Sequence, residues 1–106
     1  MMRRRRAIKR FLIKVPAEVS ANDHCFRGTT VRISEKGLFV RLQQSFVEGT
    51  QVTIRLWLPD GKESAVKGIV QYARMVNLLP RLNGMGIELT EKDATYMQFI
   101  LSLSKD

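Results

Sequence analysis

The chain has almost none of the residues from which disulfides, metal centres and nucleophilic active sites are built. It holds one cysteine, Cys25, and one histidine, His24. A single cysteine excludes an internal disulfide, and two soft ligands fall short of a zinc site, so no metal is expected. Cys25 as a nucleophile would need a base beside it, yet neighbours on a strand point to opposite faces, which takes His24 away from it. No paired carboxylates and no Ser/His/Asp arrangement stand out, so an enzyme is the least supported class. Long apolar runs are missing too. After the arginines at the start comes only Phe11-Leu12-Ile13, followed by Lys14 and Pro16. That is neither a signal-peptide core nor a membrane span. A lone thiol without a secretion signal predicts a reducing, cytoplasmic setting. There is no Gly/Ser linker and no internal repeat. With 106 residues, 44% of them hydrophobic, one domain with one core is expected.

What is present in excess is positive charge, and it sits at one end. Residues 1–10 include Arg3, Arg4, Arg5, Arg6, Lys9 and Arg10 and no acid. Those six account for most of the net +8, because the other 12 basic residues face all 10 acids. The chain therefore divides into a flexible arginine-rich arm, 1–10, and a nearly neutral folded body, 11–106. A specific nucleic-acid domain more often spreads its basic residues along a face of the fold. A concentrated arm suits a compact anionic ligand, an acidic partner or nonspecific attraction to nucleic acid.

The body reads as strands separated by turn residues. Strands are expected at Val15–Ala21, Cys25–Ser34, Leu38–Leu42, Thr50–Leu58, Ser64–Arg74 and Gly84–Leu89, with a looser connection over 76–83. In Thr50–Leu58 the alternation is plain, with Val52, Ile54, Leu56 and Leu58 on one face. Gly68, inside a long strand, marks a bend or a close backbone approach. Glu35-Lys36-Gly37 reads as a tight turn with Gly37 free to take positive φ. Thr90 and Asp93 resemble a capping box. Ala94, Met97, Ile100, Leu101 and Ser104 then form a stripe at helical spacing. The expected fold is mainly β, a six-stranded antiparallel barrel with an N-terminal basic arm and a C-terminal α-helix.

Two short segments carry the chemistry. Arg6 and Arg10 form an RxxxR pattern, with Arg5 adjacent. Guanidinium groups bind phosphate in bidentate fashion and also grip the O6/N7 edge of guanine. A solvated basic tail is the plainer account of the same residues. In Arg32-Ile33-Ser34-Glu35-Lys36-Gly37, alternation puts Val31 and Ile33 inward and Arg32 and Ser34 outward. Ser34 is placed to donate to a phosphate, and Gly37 lets a ligand approach the backbone; an ordinary β-turn also explains the glycine. Tyr72 suits base stacking and rim packing equally well.

Taken in order, these segments resemble the PilZ domain family, receptors for the bacterial second messenger cyclic di-GMP. The family pattern is RxxxR in an N-terminal arm, then [D/N]xSxxG, then a barrel closed by a C-terminal helix. Arg6 and Arg10 match the first motif, and Ser34 and Gly37 the second. Leu38-Phe39-Val40 and the late Asn83-Gly84-Met85-Gly86 resemble the strands that follow. The resemblance implies a non-catalytic cyclic di-GMP receptor or adaptor that needs no cofactor. Its ligand site would be Arg5, Arg6, Arg10, Arg32, Ser34 and Gly37. The arm would order on binding and signal to a downstream protein partner. Neither specific nucleic acid nor a membrane span is implied. One position departs from the pattern. Arg32 stands where the family has Asp or Asn, an acceptor for the guanine N–H edge, and arginine has only donors. Either another group or water satisfies that edge, or the chain is a PilZ-like protein-interaction adaptor that does not bind the nucleotide. If the arm acts as the resemblance implies, amides of residues 3–10 exchange rapidly in the free protein and become protected with cyclic di-GMP, as hydrogen-exchange mass spectrometry reads directly.

Overall fold

Alternating burial organises the sheet in the computed structural model, which describes residues 9–75, 79 and 82–104. Seven strands and one helix follow in order: β1 (Arg10–Leu12), β2 (Pro16–Ala21), β3 (His24–Ser34), β4 (Gly37–Arg41), β5 (Gln51–Trp57), β6 (Glu63–Arg74), β7 (Gly84–Glu91) and α1 (Ala94–Ser104). The expected strands are all present, with ends shifted by a residue or two. The connection expected over 76–83 falls largely outside the described residues.

All pairings are antiparallel. β2 lies between β3 and β5, and the ring continues through β6, β7 and β4. β4 then pairs back onto β3, which closes a six-stranded barrel. Closure leaves few unpaired edges. Inside it Val15, Val19, Ile33, Val40, Ile54, Leu56, Val66, Val70 and Met85 are almost wholly removed from water.

β1 is the extra strand, one that alternation over three residues is too short to announce. It pairs with the C-terminal end of β3, Arg10 opposite Ser34 and Leu12 opposite Arg32, so Arg10, expected as the end of the flexible arm, is part of the sheet. β2 uses the same edge of β3 further along, with Pro16 opposite Thr29. Thr30 stitches the gap between them. Its hydroxyl donates to the Ile13 carbonyl at 2.7 Å and accepts from the Val15 amide at 2.8 Å.

Three register shifts interrupt the ladders, one of them between Lys67 and Gly68, and the other two shape the outer face of the barrel. In β3 the register slips between Thr30 and Arg32. Thr30 and Ile33 both face the core, so Val31 is not the inward residue that strict alternation predicts; it is half-buried at the bulge. In β6 the register slips between Val70 and Tyr72. Continuing Ser64, Val66, Gly68 and Val70 would put residue 72 inside; the extra residue, Gln71, turns Tyr72 outward. Gly68 behaves as expected of a close backbone approach, since a Cβ there would collide with the Glu88 carbonyl oxygen of β7. Gly37 does not. Its φ is not positive, and what it supplies is space, because a Cβ would lie 2.7 Å from the Ile87 carbonyl oxygen.

The helix begins three residues later than the capping-box pattern predicts. Thr90 belongs to β7, and Asp93 is itself the N-cap, accepting from the Tyr96 amide at 2.8 Å. The same carboxylate accepts from Ser64 Oγ and the Ala65 amide, tying α1 to β6. The buried face of α1 also differs from the predicted stripe. It centres on Tyr96 and Ile100, while Ala94 is exposed and Leu101 is 63% exposed. Among the described residues no helix is long and apolar enough to cross a membrane.

Burial pushes the Asp93 carboxyl up, but the amides of Ala65 and Tyr96 and the Ser64 hydroxyl together hold it below the ordinary aspartate value. A depressed folded value means that the carboxylate stabilises the fold above about pH 3.9, the usual unfolded value, and that this contribution is lost as pH falls through the folded value. Asp93→Asn keeps a cap and loses that dependence, whereas Asp93→Ala costs about 1–2 kcal/mol. Urea unfolding of both variants and the wild type between pH 3 and 7 checks each expectation.

Candidate ligand-binding site

Strand register assembles a site on the outer face of the barrel. Across β1, β3, β4, β7 and β6, one row runs Leu12, Arg32, Phe39, Gly86, Tyr72. Two residues along the strands, and so on the same face, Arg10 lies opposite Ser34 and Gly37 lies opposite Glu88. These rows line an open cavity of about 440 Å³. Arg10, Arg32, Ser34 and Gly37, four of the six predicted site residues, meet there. Arg5 and Arg6 lie outside the described residues.

Phe39 explains the middle of this surface. Leu38, Phe39 and Val40 are consecutive and all buried, which one inner face cannot achieve. Leu38 and Val40 join the core; Phe39 points outward and is covered there. Its ring stacks with Tyr72 at 6.0 Å between centroids. The guanidinium groups of Arg32 and Arg74 lie over it at 5.3 and 5.2 Å. Arg32 Nη2 also donates to the Tyr72 hydroxyl at 3.1 Å. Gly86 makes this possible, since a Cβ there would collide with the Tyr72 ring.

Ser34 is turned into the protein. Its hydroxyl donates to the Gly37 carbonyl at 3.1 Å and accepts from the amides of Lys36 and Gly37 at 3.2 and 3.1 Å. Its carbonyl accepts from the Tyr96 hydroxyl at 2.6 Å. Burial raises the Tyr96 hydroxyl far above the usual tyrosine range, so it remains a neutral donor.

Sequence reading missed several members of the wall: Lys36, Phe39, Gln71, Gly86 and Glu88. Two signals were available. Three apolar residues in a row at 38–40 implied an outer partner, and Gly84-Met85-Gly86 implied close packing above β7. No sequence signal marked Gln71, whose place depends on the bulge.

Elsewhere the surface offers little chemistry. His24 and Cys25 are both exposed in β3. A hydrogen bond to the Glu18 carboxylate raises the Cys25 thiol, the reverse of what a nucleophile needs. Among the described residues no three His, Cys, Asp or Glu side chains are placed to share a metal ion.

The PilZ domain family model matches residues 4–105. Among solved structures, the chain is similar to the Bacillus subtilis inhibitor of motility MotI/DgrA, with a TM-score of 0.76 and 20% identity. That match covers 94% of this chain and 49% of the other, so this chain spans about half the length of that relative. The PilZ domain of CeSA from a cellulose synthesizing bacterium is also similar, with a TM-score of 0.68, 20% identity and coverage of 92% and 99%. At these identities the likeness is one of fold. No curated protein matches.

The Ser34 contacts generate a prediction that needs no ligand. Ser34→Ala leaves two amides and a carbonyl of the β3–β4 turn without their partner. The variant loses about 1–3 kcal/mol of stability, read by denaturant titration in the absence of nucleotide.

Proposed function

The chain belongs to the PilZ domain family, a family of cyclic di-GMP receptors, and from that premise we propose that it is a cyclic di-GMP receptor and adaptor with no catalysis of its own. Arg5, Arg6 and Arg10 close over the phosphates and guanines, and the turn carrying Ser34 and Gly37 forms the floor. Arg32 meets a phosphate or a guanine O6/N7 edge. Ordering of the arm alters the surface offered to a downstream protein partner. The setting is the bacterial cytoplasm.

The observation that carries this reading is the register of β1. Arg10 is paired with Ser34, and directly opposed residues have Cβ atoms about 4.5–5.5 Å apart. The chain that delivers the arm therefore reaches the cavity beside the turn of the second motif. Lys36 and Arg32 on the same wall add positive charge where phosphates would sit.

One observation favours the second reading, an adaptor that works through protein contacts alone. Arg32 brings no acceptor to the site and is already engaged by Tyr72 and Phe39.

Calorimetry with cyclic di-GMP, beside GTP and cyclic GMP, separates the two. The receptor reading expects binding of cyclic di-GMP in preference to both controls. Arg6→Ala and Arg10→Ala each weaken it by about 1.5–3 kcal/mol, the loss of a charge-assisted hydrogen bond, with the body still folded. Equal binding by both variants and the wild type would remove the arm from the mechanism. A salt titration against mixed-sequence nucleic acid tests nonspecific attraction by the arm.

A further inference from the structure

The charge balance of the cavity singles out Glu88. Its wall carries three cations, Arg10, Arg32 and Lys36, and a single carboxylate among the described residues. Beside a phosphate that carboxylate would be repelled. Beside a guanine it has a use. The guanine edge presents N1–H and a 2-amino group, two adjacent donors that suit the two oxygens of a carboxylate. Position 32 cannot serve this edge, because arginine has only donors.

Glu88 is also held in place. It lies opposite Gly37 in the β4–β7 register. Its Oε1 accepts from Gln71 Nε2 at 2.8 Å. Gln71 is the extra residue of the β6 bulge, so a backbone irregularity positions the amide that orients the acid. One accepted hydrogen bond leaves most of the capacity of the carboxylate unused.

We propose that Glu88 is the guanine-specificity residue of the cavity, supplying the acceptor that position 32 lacks, with Gln71 as its positioning residue. The proposal rests on the receptor reading above. Both side chains are exposed, and their replacement leaves the core intact.

The test is a cycle of ligand and protein changes followed by calorimetry. The ligands are cyclic di-GMP and cyclic di-IMP, whose hypoxanthine bases keep N1–H and lack the 2-amino group. The proteins are the wild type, Glu88→Ala and Gln71→Ala. The wild type binds cyclic di-GMP about 10- to 100-fold more tightly than cyclic di-IMP, the value of a charge-assisted hydrogen bond. In Glu88→Ala that ratio collapses toward one, and in Gln71→Ala it narrows by a smaller factor. A ratio unchanged by Glu88→Ala overturns the proposal and leaves the receptor reading standing. Tighter binding of both ligands by Glu88→Ala also overturns it, making Glu88 a repulsive neighbour only. A wild type that binds neither ligand defeats the receptor reading, and this proposal with it.

Discussion

The hydrogen bond from the Tyr96 hydroxyl to the Ser34 carbonyl joins the two ends of the molecule that matter most. Tyr96 is fully buried, and its donor has a partner at 2.6 Å. Without that partner a buried hydroxyl would cost about 1–3 kcal/mol. The acceptor it finds belongs to the residue whose own hydroxyl closes the β3–β4 turn. Helix docking, turn closure and placement of the Arg10 partner thus converge on Ser34. At the other end of the same helix turn, Asp93 caps α1 and reaches back to Ser64 and Ala65 on β6. The helix is therefore fixed to both sides of the barrel through polar groups, with Tyr96 and Ile100 supplying the apolar contact.

A barrel strand has one inner and one outer face, and simple alternation puts Phe39 and Gly86 outside. Two bulges bring further residues beside them. The one at Val31 lets Thr30 and Ile33 share the core while Arg32 stays outside. The one at Gln71 turns Tyr72 out over Gly86. Together they bring Arg32, Phe39 and Tyr72 into one row, and Phe39 loses its water without entering the core. Glycine at 37 and 86 lets the Ile87 carbonyl and the Tyr72 ring pack where a Cβ would otherwise stand.

Regular features were legible in the sequence, and irregular ones were not. The strands at 50–58 and 64–74 follow from period-two burial, the closed barrel from six such segments, and Gly68 from its position in a long strand. Residue type and order singled out Arg10, Ser34 and Gly37, which the fold brings to one cavity, but not the turn-closing contacts of Ser34 or the steric role of Gly37. Three features needed three-dimensional information. β1 is too short to show a period and forms because β3 extends beyond the end of β2. The cap moved from Thr90 to Asp93 because pairing with β6 keeps β7 extended through Glu91. Tyr96 replaced Leu101 on the buried face because an acceptor, the Ser34 carbonyl, is waiting for its hydroxyl, which hydrophobic spacing cannot register.

On the receptor reading, comparing magnitudes shows what the departure at Arg32 would cost. In the free protein its guanidinium has a cation–π contact with Phe39 and one neutral hydrogen bond to Tyr72. At an exposed site these are worth about 0.5–1 and 0.5–1.5 kcal/mol. A hydrogen bond to a phosphate is worth about 1.5–3 kcal/mol, and two can form at once. The cation–π contact also survives a small swing of the side chain, since the guanidinium need only remain above the ring. Release of Arg32 from Tyr72 is thus a smaller cost than capture of a phosphate is a gain. On that reading an arginine at this position is compatible with an anionic nucleotide, and choosing the base would fall to a group that accepts hydrogen bonds.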